Sequence, residues 1–342
     1  MKILYAIQGT GNGHISRARD IIPLLEQYGE LDVLISGTQA DVKLGHNVRY
    51  QFDGLSFVFG KRGGVDLWAT FRSVSFIKLF KEILRLNVGE YDLVINDFEP
   101  VSAWACFLRV KKCIGLSHQA AVIHPFAPKP DKMDFLGHCI LKYYAPVSSA
   151  YGFHFRGYGD RINLPIIRQE VRTMRERKEE NHYTVYLPSY SDKRIIQVLS
   201  QVNADFQVFS KHCSKRKKEG NIEIIPIDNQ PYLESLSACK GVICGAGFEG
   251  PSEALFLHKK LLVIPMKGQY EQQCNAAALK NLGVEVLKTL HQRHIQVIHE
   301  FIRQKEKPQL NFPDETDEII SKLMKDNVGS DYTLTETSFS FS

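Results

Sequence analysis

Short apolar runs that read as buried strands alternate with helix-compatible stretches, and the alternation runs twice along the chain. The first round holds KILYAI (2–7), LDVLIS (31–36), VRYQF (48–52), DLVIN (92–96) and KCIGLS (112–117), with helical patterns at 15–27, 66–88 and 101–109. The second holds YTVYLP (183–188), FQVFS (206–210), IEIIP (222–226), GVICG (241–245) and KLLVIP (260–265), with helical patterns near 192–202, 231–238, 250–258 and 270–282. Strands joined through helices pair in parallel by right-handed crossovers, so each round predicts a doubly wound α/β sheet. The 342 residues exceed one ordinary core, which agrees with two domains. The predicted division is a first domain at 1–168 and a charged linker or exposed helix at 169–182 (QEVRTMRERKEENH). A second domain follows at 183–326, whose last helix, near 315–325, can pack back on the first domain. The Ser- and Thr-rich stretch 327–342 is predicted to be disordered.

Charge and cysteine content narrow the function classes. A formal charge of +5 favours anionic ligands or an acidic lipid surface only weakly and gives no case for nucleic acid. The opening MKILYAIQGTG reads as a first strand rather than a signal peptide, and no apolar run approaches the ~20 residues of a membrane span. Seven scattered cysteines, without CxxC or zinc spacing, read as reduced thiols of a cytoplasmic protein. There is no DxD pair and no metal-spaced His/Cys cluster, so neither a metal nor another cofactor is expected.

Ligands of open parallel sheets bind beyond the carboxyl ends of the strands, so motifs that follow strands matter most. The most informative is GVICGAGFEGPSEALFLHKKLLVIPMKGQYEQQCNA (241–276). A buried strand ends in Gly245-Ala246-Gly247, and Gly250 and Pro251 suit the first turn of a helix. Small residues let a backbone approach a ligand, and the free N–H groups of a helix start attract a diphosphate. Glu253 in that first turn can chelate ribose hydroxyls, and Glu271, Gln272 and Gln273 at the next helix start can hold sugar hydroxyls. Taken singly these features also fit plain structure, since glycines end strands and a Glu at a helix start serves the macrodipole.

Taken in order they resemble the donor-binding region of the MurG-type (family 28) glycosyltransferases and the wider UDP-glycosyltransferases, which have the GT-B architecture of two Rossmann-like domains facing across a cleft. The resemblance assigns Gly247 and the amides that follow to the diphosphate, Glu253 to the ribose, and Gln272 and Gln273 to the sugar, with Gly245 and Phe248 also in the donor-binding set. In IIPIDNQPYLESLSAC (224–239) it places the backbone of Ile227 at the base edge, and it puts Ser189 in a phosphate loop. That loop, LPSYSD, is poorer in glycine than the family's, which sets this chain apart from MurG itself.

The first loop, IQGTGNGHISRARDII (7–22), fails as a dinucleotide fingerprint, because His14 stands where the third glycine belongs and the second strand ends in Ser36-Gly37 without an acid. A Walker A reading near Gly60-Lys61 fails on spacing. The GTGNGH string, with Gly11, Asn12 and Gly13, resembles instead the Gly-rich, His-ending loop of the MurG type, and in related inverting enzymes a histidine there removes the acceptor proton. An alcohol is a weak nucleophile, so a base with a near-neutral pKa suits the chemistry. Asp97 and Glu99, at the end of DLVINDFEP, resemble the strand end that carries the histidine's acidic partner, and Asp97 can equally cap the following helix. His118 and Gln119 in GLSHQA resemble a further pocket stretch of the MurG type.

Residues 66–86 carry two apolar stripes, one of Trp68, Phe71, Val74, Ile77 and Leu84 and one of Phe76, Leu79, Ile83 and Leu86, with Arg72, Lys78, Lys81 and Arg85 between them. Such a helix either packs on both sides or lies on a membrane. The resemblance implies an inverting, metal-independent hexosyl- or N-acetylhexosaminyltransferase. It would use a nucleotide-diphosphate sugar, UDP-sugar first, and an acceptor glycan, lipid or small molecule in cell-envelope or glycolipid synthesis at the inner face of the membrane. A nucleotide-sugar hydrolase, an epimerase and a non-catalytic nucleotide-sugar-binding protein share the architecture and remain open.

Overall fold

The protein is described by a computed structural model covering residues 1–37, 44–55, 59–60, 64–65, 76–174 and 178–328. Its first lobe is a sheet built from β1 (Lys2–Gln8), β2 (Glu30–Ser36), β3 (Tyr50–Phe52), β6 (Leu93–Asp97), β7 (Cys113–Leu116), β8 (Ser149–Phe153) and β9 (Ile162–Asn163). The strands stand in the order β3-β2-β1-β6-β7-β8-β9, all paired in parallel. The two-residue strands β4 (Phe59–Gly60) and β5 (Gly64–Val65) form a separate antiparallel pair. Around the sheet lie α1 (Asn12–Glu26), α2 (Phe76–Arg85), α3 (Pro100–Leu108), α4 (His118–Val122) and α5 (Phe135–Tyr143).

After the short α6 (Gln169–Arg172) the second sheet begins. It holds β10 (His182–Tyr186), β11 (Asp205–Ser210), β12 (Lys217–Glu219), β13 (Ile222–Pro226), β14 (Gly241–Gly245), β15 (Lys260–Ile264) and β16 (Glu285–Val286). Their order is β12-β13-β11-β10-β14-β15-β16, parallel except for the edge pair β12–β13. Helices α7 (Asp192–Leu199), α8 (Asn229–Ala238), α9 (Glu249–Phe256), α10 (Tyr270–Lys280) and α11 (Ile295–Arg303) surround it, and α12 (Thr316–Val328) ends the described chain. The two doubly wound sheets expected from the alternation are therefore present.

Why the runs become buried strands is visible in β1. Ile3, Tyr5 and Ile7 face one apolar cluster while Leu4 and Ala6 face another, the period-2 division of a strand covered on both sides. The cluster behind Ile3, Tyr5 and Ile7 also takes in Val242 and Cys244 of β14 and Leu255 of α9, so the lobes share apolar packing. Helix α12 packs against α1, and Tyr151 of β8 donates to Asp326 at 2.6 Å, so the end of the described chain lies on the first lobe.

The strand orders place the functional loops. In each sheet the chain reverses its direction of travel beside the first strand, at β1/β6 and at β10/β14, and a crevice opens at such a switch point. Ile7 stands level with Asp97, and Tyr186 with Cys244, so the loops after these four strands share one edge in each lobe.

Of the stretch 66–86, residues 66–75, with Trp68, Phe71, Arg72 and Val74, lie outside the described residues. Residues 76–85 form α2, with Leu86 directly after it, and among the described residues only one of its sides packs on the core. Leu79, Ile83 and Leu86 join the core, while Phe76, Ile77, Phe80 and Leu84 are exposed. Phe76 thus parts from the stripe the sequence gives it. Among the described residues no helix is long and apolar enough to cross a membrane.

Candidate active site

The loop after β1 is shaped by its glycines. A Cβ on Gly9 would press on Ile35 and on the backbone of Ser36 and Gly37 at 2.8–3.0 Å, and Gly11 has φ +101°, a conformation that side chains rarely adopt. The turn delivers α1 with His14 in its first helical turn, at the carboxyl edge of the sheet. Across the switch point the chain leaves β6 through Phe98, whose φ of 57° is also left-handed and which stacks on Tyr144 at 4.8 Å. That turn lets Asp97 face α1. His14 Nδ1 lies 2.8 Å from Asp97 Oδ1, which fixes the ring's proton on Nδ1 and leaves Nε2 toward the cleft as an acceptor. Gln119 Nε2 stands 3.5 Å from that Nε2.

Asp97 is fully buried and also takes Arg17 Nη2 on both oxygens, at 2.8 Å each. Burial works against the Asp97 carboxylate, but the charges of Arg17 and His14 outweigh it and hold its pKa below the ordinary value. For His14, burial likewise disfavours the charged ring. The charge and hydrogen bond of Asp97, with Glu249 adding to them against Arg17, raise its pKa above the ordinary value.

The second lobe supplies the facing wall of a cavity of about 420 Å³, lined from both lobes. Gly245, Gly247, Phe248 and Glu253 line it from β14 and α9, Glu271 and Gln272 from α10, and Ile227 from the segment after β13. A Cβ on Gly247 would meet nothing within 4 Å, so its backbone lies open to the cavity. Tyr186, Phe209 and Tyr232 give the Ile227 end an aromatic lining. Glu253 does not stand free: Arg168 grips it through Nε to Oε1 at 2.6 Å and Nη2 to Oε2 at 3.0 Å. Each oxygen keeps a second lone pair that can accept from a ligand hydroxyl. Gln272 turns its Oε1 to the Met266 N–H at 2.9 Å, which leaves its amide nitrogen for a ligand.

Contacts between the lobes close the cleft. Arg17 Nη1 donates to Glu249 Oε1 at 2.5 Å, Gln119 Nε2 to Glu271 Oε2 at 3.1 Å, and His118 Nε2 meets Asn275 Oδ1 at 2.7 Å.

Most residues expected at the site meet at this cavity: Gly11, Asn12, Gly13, His14, Gln119, Ile227, Gly245, Gly247, Phe248, Glu253, Glu271 and Gln272. Asp97 supports His14 from beneath. Like Asp97, four more expected residues are not in its wall. Glu99 is buried as the N-cap of α3, accepting from Val101 N and Ser102 N at 2.6 Å each, so the capping role weighed for Asp97 falls to it. His118 is buried behind the wall, its ring stacked on Phe248 at 3.9 Å and its Nδ1 2.7 Å from Phe153 O; burial lowers its pKa. Pro188 lines the cavity where Ser189 is expected, and Gln272 lines it whereas Gln273 does not.

Arg17, Glu249 and Arg168 are missed by the sequence reading. Arg17 carries a usable signal, because it lies three residues after His14 and so on the same helix face. Arg168 and Glu249 carry none without the juxtaposition of the lobes. Among the described residues no group of three His, Cys, Asp or Glu is arranged to hold a metal ion.

Comparison with known proteins agrees with this architecture. The family described as glycosyl transferase family 1 matches residues 1–305. No curated protein matches the chain by sequence. Among solved structures, Acinetobacter baumannii MurG is similar at 14% identity, covering 95% of this chain and 99% of its own, with a TM-score of 0.53. The glycotransferase of kitacinnamycin is similar at 13% identity over 96% of this chain and 94% of its own, with a TM-score of 0.56. Arabidopsis thaliana UGT89C1 complexed with UDP-L-rhamnose is similar at 12% identity over 96% and 94%, with a TM-score of 0.53.

Proposed function

Because the chain belongs to glycosyl transferase family 1, we propose that it moves a sugar from a nucleotide-diphosphate sugar to an acceptor hydroxyl, with inversion and without a metal. The observation that carries this reading is the His14–Asp97 pair facing Gly247, Glu253 and Gln272 across one cavity. His14 Nε2 takes the acceptor proton as the acceptor oxygen bonds to the anomeric carbon. The bond from that carbon to the diphosphate oxygen breaks, and its electron pair leaves with the diphosphate. Asp97 orients the ring and stabilises the imidazolium that forms. The open backbone at Gly247 and the N–H groups that start α9 face the leaving diphosphate, fixed donors that need no reorganisation. Attack from the His14 side, opposite the bond to the diphosphate, inverts the anomeric carbon.

Glu253, held by Arg168, takes the ribose, and the backbone of Ile227 reads the base. UDP is the favoured nucleotide, as in the similar structure that holds UDP-L-rhamnose. The acceptor lies on the first lobe. Exposed Ile77, Phe80 and Leu84 of α2 stand near exposed Phe107, Leu108 and Val110 at the end of α3, where Arg109 bonds to Ile83 O and Leu84 O. With Lys81, Arg85 and Lys112 exposed around them, these residues suit a lipid-linked acceptor met at the inner face of a membrane.

A thermal-shift panel of UDP, TDP and GDP, followed by transfer assays with the matching sugars and His14→Ala, tests the reading. A nucleotide at 100 times its Kd adds about 2.7 kcal/mol of stability. The expected result is a UDP shift kept in His14→Ala with transfer lost. Free sugar released without an acceptor would replace transfer by hydrolysis, conversion of the donor sugar would replace it by epimerisation, and full activity of His14→Ala would end it.

A further inference from the structure

Arg17 is the charge beside His14 that opposes the base. Its guanidinium stands 3.2 Å from His14 Nδ1, where it disfavours the imidazolium that proton transfer creates, and at 1% exposure water does not screen it. Asp97 balances it from within the first lobe. The second balancing charge is Glu249, which arrives from the other lobe in the first turn of α9 and meets Arg17 at 2.5 Å. Gly13 makes room for it, since a Cβ there would run into the Glu249 carboxylate.

The charged and titratable groups around His14 are Asp97 on β6, Arg17 on α1, Glu249 on α9, Glu271 on α10 behind the Gln119 amide, and Tyr5 on β1 near Asp97 and Arg17. Asp97, Arg17 and Glu249 together carry one net negative charge. With Glu249 withdrawn, Asp97 and Arg17 cancel.

We propose that Glu249 is a positioning residue, carried by the donor lobe, which completes the His14–Asp97 base only when the two lobes close. This rests on the transferase reading above. Closure seats the carboxylate on Arg17, and the new imidazolium then forms beside a net negative cluster instead of a neutral one. An open cleft keeps a weaker base, so proton removal is tied to a seated donor lobe.

The test titrates His14 by NMR in the full chain labelled at histidine and saturated with UDP to seat the donor lobe, with its resonance assigned by loss in His14→Gln. Glu249→Gln is expected to lower the His14 midpoint by about one pH unit, and Glu249→Asp to recover at least half of that. Gly13→Ala keeps the carboxylate but pushes it off Arg17, so it shifts the midpoint the same way and serves if Glu249→Gln fails to fold. In transfer assays the acid limb of kcat follows the midpoint, and plateau kcat falls roughly three- to tenfold while the KM for UDP-sugar is unchanged. An unmoved His14 midpoint in Glu249→Gln overturns the proposal, as does a loss confined to KM, which would make Glu249 a donor contact. If the wild type transfers from no nucleotide sugar, the transferase reading falls and the titration still decides the coupling.

Discussion

Asp97→Asn isolates the role of the buried carboxylate, because the substitution keeps its shape and removes its charge. In the wild type that carboxylate takes His14 Nδ1 and both Arg17 bonds at 2.8 Å each and is fully buried. Two unit charges about 4 Å apart, at the effective dielectric of about 20 that suits protein sites, interact by about 4 kcal/mol. That support vanishes from the imidazolium formed during transfer, and at about 1.4 kcal/mol per decade it corresponds to a roughly thousandfold lower kcat. The figure falls inside the range of about 10²–10⁴ for loss of general base catalysis. Breaking a buried pair costs about 3–5 kcal/mol, and Glu249 still meets Arg17, so a loss of about 3 kcal/mol is expected. A fold with about 5–15 kcal/mol in hand survives it. Asp97 does not line the cavity, so UDP should still raise the melting temperature of the variant. Nucleotide release measured at saturating donor and acceptor, beside that UDP shift, separates the two effects. A kcat within threefold of wild type with the UDP shift intact would refute the base assignment.

Arg168→Ala strips Glu253 of both its bonds, and the expected outcome is at least a tenfold weaker UDP affinity by calorimetry together with a lower melting temperature. The pKa of His14 is raised in the folded state, so its contribution to stability is complete below the ordinary value of about 6.5 and is lost as pH rises through the raised folded value. Urea midpoints of wild type and His14→Gln should therefore differ more at pH 6 than at pH 9. Chelation with EDTA should leave transfer within twofold, and a loss restored by magnesium or manganese would contradict metal independence. Phe80→Ser with Leu84→Ser should weaken sedimentation with anionic vesicles several-fold while changing stability by only about 0.5 kcal/mol, because both side chains are already exposed.

The fold is legible where burial on both faces of a strand writes a short apolar run, as in Leu93–Ile95, Val242–Cys244 and Leu261–Ile264. It is not legible between Ser117 and the charged stretch, where the rhythm predicts nothing and the chain builds α4, α5 and β8. Helix α4 has five residues, too few for a period to register. Helix α5 exposes Phe135, Leu136 and Tyr143, and its Gly137 serves Tyr270 of the other lobe, so its pattern answers to a surface that the local sequence does not contain.

The same division runs through the site. His14 and Asp97 are readable because each ends a local motif, a glycine turn after one strand and a carboxylate at the end of its neighbour, and parallel pairing brings such ends together without further information. Arg17, Glu249, Arg168 and Glu253 bond across 232 and 85 residues of sequence, so their positions depend on how one lobe lies on the other. Gly13 shows the consequence. Within its own loop it is one small residue among several, yet the space it leaves is filled by a carboxylate from α9. A motif states which groups do the chemistry, whereas the charge surrounding those groups is set by the closed arrangement of both lobes. On the proposed mechanism, the strength of the base at His14 is therefore a property of the cleft as a whole.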